Sequence, residues 1–183
     1  MRSSMTRIAS IALLIALFST TAIRAHAQAS SPASILPPNS FHFDGSWNCE
    51  GAFGNGKAHK SKFTGATILG AKWIELTEQD IEPATGYLAK YLLGFDPAQK
   101  RFVEFDANNF GAATYSNADG WQNSAMTMTS PISDDPKAPC VANRFVYTIA
   151  NKDAFNVDWQ ISKTATLSWI TSDHLACKRT SPA

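Results

Sequence analysis

The chain has 183 residues, of which 44% are hydrophobic and 11% aromatic, and its formal net charge is +1. This length suits one ordinary domain with a substantial core. A nearly neutral chain without a cluster of lysine and arginine argues against nucleic acid or an anionic membrane surface as a partner.

The first 27 residues have the pattern of a secretory signal peptide. Arg2 and Arg7 precede an apolar run over residues 8–18, which is followed by an A-x-A cleavage site at residues 25–27. The apolar run is much shorter than the roughly 20 residues that span a bilayer. We therefore expect cleavage after Ala27 and a soluble product that is periplasmic or secreted, carrying 13 basic and 15 acidic residues.

The composition changes at Phe41. Residues 28–40 are small, polar and proline-containing, without a periodicity that could bury one face, and they predict a flexible leader. From Phe41 onward, short runs of aromatic and β-branched residues alternate with Gly, Asn, Asp and Pro. We predict a domain over residues 41–179 and a short tail over residues 180–183.

These short runs predict about ten strands and no helix after the signal peptide. In the clearest run, residues 155–161, apolar and polar residues alternate without a break. The strands predicted after the opening segment near Gly45 are residues 57–69, 72–78, 87–95, 101–105, 112–115, 124–129, 144–149, 155–161 and 164–177. Residues 130–138 are rich in proline and charge and predict a long loop. Many short strands without helices indicate an all-β sandwich or a closed barrel.

The cysteines suggest how the two ends of the domain meet. In the opening stretch GSWNCEG, Trp47 and Cys49 share one face of a strand. The last strand has one shared face as well: Leu167, Trp169, Thr171, Leu175 and Cys177. Barrel closure makes these strands neighbours, so we expect a disulfide between Cys49 and Cys177. The alternative is a disulfide between Cys140 and either Cys49 or Cys177. If Cys49 pairs with Cys177, Cys140 is a spare, unreactive thiol.

Several motifs carry a family resemblance: Gly45-Ser46-Trp47, residues 94–97 with 101–103, Gly120-Trp121, and the closing cysteine strand. Together they resemble uncharacterised exported bacterial proteins of the lipocalin-like (calycin) type. The opening is also similar to the G-x-W-x-G-x-G start of nitrobindin-like haem barrels, with Cys49 in place of a glycine. The resemblance implies a single antiparallel lipocalin-like β-barrel with an internal cavity and Trp47 packed at its closed end.

The histidines give little sign of a cofactor. Nitrobindin-like proteins use a late histidine as haem ligand, and His174 is the only late histidine here. In the alternation of the last strand, His174 is on the other face from Cys177. It therefore faces solvent unless a bulge occurs at residues 172–173, and we expect no haem. His42 and His59 have no partner at metal-ligand spacing, so we expect surface or capping roles and no metal site.

Three carboxylates could reach the lumen. Glu75 shares its face with Trp73, and Glu104 and Asp106 share theirs with Phe102. The opposite faces of both strands are equally apolar, so alternation does not decide between inside and outside. A solvated position on the outer face is favoured, because charged groups are rarely buried unpaired. An internal carboxylate would have a shifted pKa and become a candidate for a site.

Aromatic residues on several strands could line a ligand pocket or simply fill the barrel. The candidates are Trp47, Trp73, Tyr91, Phe102, Phe145, Trp159 and Trp169. We predict a monomer that binds a small, mostly apolar molecule in its lumen, without nucleic-acid binding or stable membrane insertion.

Two other functions stay open. One is a cyclase- or isomerase-like enzyme with Glu75 or Glu104 as an internal acid or base. The other is a filled barrel that acts through protein contacts of the loop over residues 130–138. An open cavity lined by aromatic groups without a carboxylate would favour binding, an internal carboxylate reached by water would favour catalysis, and a packed lumen would leave only surface interaction.

Overall fold

The structure, a computed structural model, describes residues 33–180. The predicted signal peptide and residues 181–183 of the predicted tail lie outside this range. Residues 33–180 form strands, turns and loops without a helix, which confirms the predicted all-β class. In this part of the chain there is no helix of the length and hydropathy needed to cross a membrane.

Ten antiparallel strands follow one another along the chain and close into a barrel. They are β1 (Gly45–Phe53), β2 (Ala58–Ile68), β3 (Trp73–Glu82), β4 (Leu88–Asp96), β5 (Arg101–Asn108), β6 (Gly111–Asn117), β7 (Ala125–Thr129), β8 (Ala142–Asn151), β9 (Ala154–Ser162) and β10 (Trp169–Arg179). Each strand pairs with its neighbours in sequence, and β1 pairs with β10 to close the barrel. The predicted strands are confirmed, although β10 begins only at Trp169, because a turn precedes it.

One end of the barrel is filled by aromatic side chains. Phe41 and Phe43, which precede β1, are each 2% exposed, and Phe43 packs edge-on against Phe155 with ring centroids 5.0 Å apart. The ring of Trp47 lies 4.8 Å from Phe155, and its Nε1 donates a hydrogen bond of 2.8 Å to the Phe43 carbonyl oxygen. Trp47 is therefore a core residue of this closed end, with its polar atom satisfied.

The packed domain begins earlier than Phe41. Ile35, which belongs to the predicted leader, is 2% exposed and is part of the core. The indole Nε1 of Trp121 donates a hydrogen bond of 2.9 Å to the Ile35 carbonyl oxygen. Residues 28–40 are polar and proline-rich overall, so their composition did not indicate that one of their side chains is in the core. The predicted domain start at residue 41 therefore leaves out Ile35.

The predicted disulfide is confirmed. Cys49 and Cys177 are directly opposite each other in the β1–β10 ladder, with Cα atoms 4.0 Å apart, and they are joined by a disulfide. Cys140 is a free, half-buried cysteine. The disulfide therefore fastens the seam at which the first and last strands close the barrel.

A β-bulge at Ser172 changes which residues of β10 face inward. The register against β9 shifts between Thr171 and Asp173, and Asp173 pairs with the cavity-facing Trp159. One extra residue reverses the alternation of side chains between the two faces. The prediction of a single inner face for the whole of β10 is therefore wrong before the bulge, where Trp169 lies on the outer face.

Candidate functional site

The end of the barrel opposite Trp47 holds a cavity of about 630 Å³. A volume of this size falls in the range of small-molecule sites. Its aromatic wall is formed by Phe53, Tyr87, Tyr91, Phe110, Tyr115, Phe145 and Trp159. The barrel thus has one filled half and one open half.

The seven aromatic residues predicted for the lumen fall into three groups. Tyr91, Phe145 and Trp159 line the cavity. Trp47 and Phe102 are buried, with exposures of 1% and 4%, but they belong to the packed core and do not line the cavity.

The third group is on the outer face, so its prediction as lumen residues is wrong. The Trp73 ring stacks on Phe105, which is 45% exposed. The Trp169 ring lies 4.3 Å from the Arg144 guanidinium, a cation–π contact outside the barrel. Trp73 was misplaced because both faces of β3 are equally apolar in sequence. Trp169 was misplaced because the inner face was assigned without the bulge at residues 172–173, which the sequence allowed but did not require.

His59 is the centre of a buried charged cluster in the cavity wall. It projects inward from β2, is 3% exposed, and stacks on Phe53 with ring centroids 4.3 Å apart. Its Nδ1 lies 3.0 and 2.9 Å from the two carboxylate oxygens of Asp173, and its Nε2 lies 2.9 Å from Asp80 Oδ1. The expected surface or capping role of His59 is therefore wrong.

The two carboxylates keep the His59 imidazole charged. Burial by itself lowers the pKa of His59, but the hydrogen bonds and charges of Asp173 and Asp80 outweigh it and raise the pKa from 6.5 to about 9. Because each ring nitrogen faces a carboxylate oxygen, both nitrogens donate, as in the imidazolium form. At neutral pH the cluster is an imidazolium held between two aspartates.

A second acidic group, Glu78, lies beside this cluster on β3. It is 6% exposed, and the Tyr91 hydroxyl donates a hydrogen bond of 2.6 Å to its Oε2. The Tyr87 hydroxyl lies 3.1 Å from that of Tyr91, which extends the chain of hydrogen bonds toward the cavity mouth. Burial raises the pKa of Glu78 from 4.5 to about 7, although the Tyr91 hydrogen bond opposes the shift.

Strand β5 adds two inward carboxylates at different depths. Asp106 lines the cavity at 6% exposure, and burial raises its pKa, although a hydrogen bond of 3.1 Å from Asn108 opposes the shift. Glu104 lies deeper at 0% exposure and accepts a hydrogen bond of 2.9 Å from the Tyr147 hydroxyl, while its other oxygen has no hydrogen-bond partner within residues 33–180. Burial raises the pKa of Glu104 to about 8.

Glu75 lies on the outer face. It forms an ion pair of 3.1 Å with Lys90. The alternative in which Glu75 acts inside the barrel is therefore wrong, whereas Glu104 and Asp106 do point inward.

His174 also points away from the cavity. Its side chain is 45% exposed, and its Nδ1 lies 2.7 Å from Asp158 Oδ1. The bulge at Ser172 lies before His174, so the alternation after it is regular: Asp173, Leu175 and Cys177 face inward and His174 faces outward. A haem in the lumen could not be reached by this histidine.

The cavity wall also contains side chains that could ligate a metal ion. His59, Glu78 and Asp80 each offer an atom within 4.8 Å of the others. Adjacent strands bring these atoms together, and for that reason their spacing in the sequence did not suggest a metal site. His59 must lose a proton before Nε2 could bind a metal, because both nitrogens face carboxylates.

Sequence reasoning missed this cluster, although a signal was present. On β2, His59 alternates with the buried Ser61 and Phe63, and on β3, Glu78 and Asp80 continue the alternation of the buried Ile74 and Leu76. A polar residue that continues an inward apolar series points into the barrel.

No protein-family model and no curated protein matches this chain. The cavity and the side chains around it therefore carry the functional assignment.

Proposed function

We propose that the protein is an exported, monomeric, lipocalin-like barrel that binds a small, mostly apolar molecule in its lumen. The observation that carries this proposal is the cavity of about 630 Å³ with aromatic walls at one end of a barrel whose other end is filled. The filled-barrel alternative requires a packed lumen, and this half of the lumen is open.

Burial of apolar ligand surface would supply most of the binding free energy. At about 25 cal/mol per Å², a ligand that buries roughly 200 Å² of apolar surface gains about 5 kcal/mol before ordering costs. The carboxylates of Glu78 and Asp106 would orient its polar group, because they are the acidic groups of the wall without an ion-pair partner within residues 33–180.

Export is part of the proposal. The Cys49–Cys177 disulfide fits an oxidising compartment, and the pattern of residues 1–27 supports cleavage after Ala27 and a periplasmic or secreted product. In this proposal the barrel acts without nucleic-acid binding or membrane insertion, since the chain is nearly neutral.

Native mass spectrometry tests the binding proposal. The protein is purified from an oxidising compartment, then measured before and after denaturation. Ala113→Trp places a large ring in the cavity, and Thr114→Trp places the same ring on the adjacent exposed position of β6. We expect a bound small molecule in the wild type and in T114W and none in A113W. Bare protein in all three, after incubation with cell extract, would contradict the proposal.

The cavity is open and aromatic, as expected for binding, but its wall also holds carboxylates, as expected for catalysis. Because a carboxylate in a pocket wall can orient a ligand without reacting with it, binding is the first proposal and acid–base catalysis by Glu78 is the second candidate function. The observation that favours it is a carboxyl group with a pKa of about 7 in a cavity wall, hydrogen-bonded to Tyr91. Such a group can both release and accept a proton near neutral pH.

The Glu78→Gln variant separates catalysis from binding. Extracts of small metabolites are incubated with wild type or with the variant and compared by mass spectrometry. A compound that wild type converts and the variant only binds would support catalysis. A compound that both bind and neither converts would support a carrier or sensor.

A further inference from the structure

The cavity wall carries more negative than positive groups. Four carboxylates line it, those of Glu78, Asp80, Asp106 and Asp173. His59 is the one basic side chain among the lining residues, which include no lysine or arginine. The imidazolium of His59 lies between Asp80 and Asp173 and can balance only one of them.

The two remaining carboxylates are buried without an ion-pair partner within residues 33–180, and the His59 imidazolium near Glu78 is already paired with Asp80 and Asp173. Glu78 and Asp106 are each 6% exposed, and neither forms an ion pair in the described part of the chain. Their hydrogen-bond donors, the Tyr91 hydroxyl and the Asn108 amide, are neutral. A buried carboxylate is costly unless it is paired, so a ligand that supplies positive charge would recover this cost.

The aromatic walls suit a positive ligand of organic type. Phe145 packs edge-on against both Tyr91 and Tyr115, with ring centroids 5.5 and 5.2 Å apart. At the mouth, Tyr87 stacks on Phe110, which is 74% exposed. The faces of aromatic rings attract ammonium groups, and a combination of such rings with carboxylates is typical of sites for amines and quaternary ammonium groups.

We infer that the ligand is an organic cation, with an apolar body against the aromatic walls and an amine or quaternary ammonium group beside Asp106 and Glu78. This inference rests on the proposed function, since it specifies the ligand class of the same cavity. A bare metal ion fits less well, because it would fill a small part of about 630 Å³ and would have to displace a proton from His59.

Equilibrium dialysis with a matched pair of probes tests the charge preference. Benzyltrimethylammonium carries a quaternary nitrogen, and neopentylbenzene has the same shape with carbon in its place. We expect the cation to bind at least tenfold more tightly. Asp106→Asn removes the negative charge that attracts the cation, so it should weaken binding of the cation by roughly tenfold or more and leave binding of the neutral probe unchanged. Glu75→Gln, on the outer face, is the control and should change neither.

The possible outcomes separate the two proposals. Equal affinity for both probes would overturn the organic-cation inference and leave lumen binding intact. If neither probe binds and native mass spectrometry also finds bare protein, the proposed function itself fails. Zn²⁺ that binds at neutral pH and excludes the organic cation would overturn the inference in favour of a metal centre. If D106N lacks the cooperative thermal unfolding of the wild type, the dialysis experiment is repeated with Glu78→Gln. This variant should also weaken binding of the cation and leave binding of the neutral probe unchanged.

Discussion

The imidazole of His59 joins two strands that are not neighbours: its Nδ1 lies 2.9 Å from Asp173 Oδ2, across 114 residues of sequence. His59 is on β2 and Asp173 on β10, and β1 lies between these strands in the barrel. The disulfide fastens β1 to β10 further along the same seam. The seam is thus held by a covalent bond and by a charged hydrogen bond at the cavity.

Asp173→Asn should destabilise the protein. The substitution removes the negative charge that pairs with Nδ1 of the buried His59, and loss of a hydrogen bond to a charged group costs about 1.5–3 kcal/mol. Urea unfolding measures this difference. Asp158→Asn, in the more exposed pair with His174, is the control and should cost less than about 1 kcal/mol. Equal losses in the two variants would contradict the role of the His59–Asp173 hydrogen bond in holding the seam.

Stability should fall as the pH rises from about 5 to 9. The pKa of His59 is raised from 6.5 to about 9, so its contribution is complete below pH 6.5 and is lost as the pH rises to about 9. Glu78 and Glu104, with pKa values raised from 4.5 to about 7 and about 8, also hold their protons more tightly in the folded protein. The free energy of unfolding, measured in urea across this range, should therefore decrease, and an increase would contradict these assignments.

Glu104→Gln tests the deepest of these groups. The variant cannot ionise, but its side-chain oxygen can still accept the Tyr147 hydrogen bond. We expect a smaller loss of stability between about pH 5 and 9 than in the wild type. Glu75→Gln should leave the slope unchanged, because Glu75 is on the outer face.

Removal of the disulfide should destabilise the barrel by roughly 2–5 kcal/mol, since the bond closes a loop of 128 residues. Cys49→Ser and Cys177→Ser should each give this loss in denaturant unfolding without reductant. Cys140→Ser should leave stability nearly unchanged. If reductant does not lower the free energy of unfolding of the wild type, the stability of the seam does not depend on the disulfide and the prediction is contradicted.

Gly51→Ala should destabilise the domain by roughly 1–3 kcal/mol or more, through overpacking. A Cβ at Gly51 would lie 1.7 Å from the His174 carbonyl oxygen of β10, so the two strands would have to separate. Gly56→Ala is the comparison, because nothing lies within 4 Å of a Cβ there and only the positive φ of 83° is unfavourable. Thermal unfolding of both variants should show the larger loss in G51A.

The opening stretch GSWNCEG shows how far the sequence defines the fold. Alternation placed Trp47 and Cys49 on one face, and closure of a barrel placed Cys49 near Cys177, as the structure confirms. The close approach at Gly51 could not be predicted, since it depends on the separation of two backbones.

The candidate site was less predictable than the fold. Alternation assigns residues to two faces but does not say which face is inside when both are apolar, and this left Glu75 and Glu104 undecided. Asp173 continues the inward face of Leu175 and Cys177 and meets His59 there, whereas the bulge at Ser172 turns the residues before it to the other face. This contact depends on three-dimensional register, which spacing along the chain does not reveal.

The most direct test of the account is a crystal structure of the protein purified from an oxidising compartment at neutral pH. We expect electron density for a small molecule between Trp159 and Tyr115, with its positive group in contact with the carboxylate of Asp106 or Glu78. A lumen filled by the protein's own side chains at both ends would contradict the account.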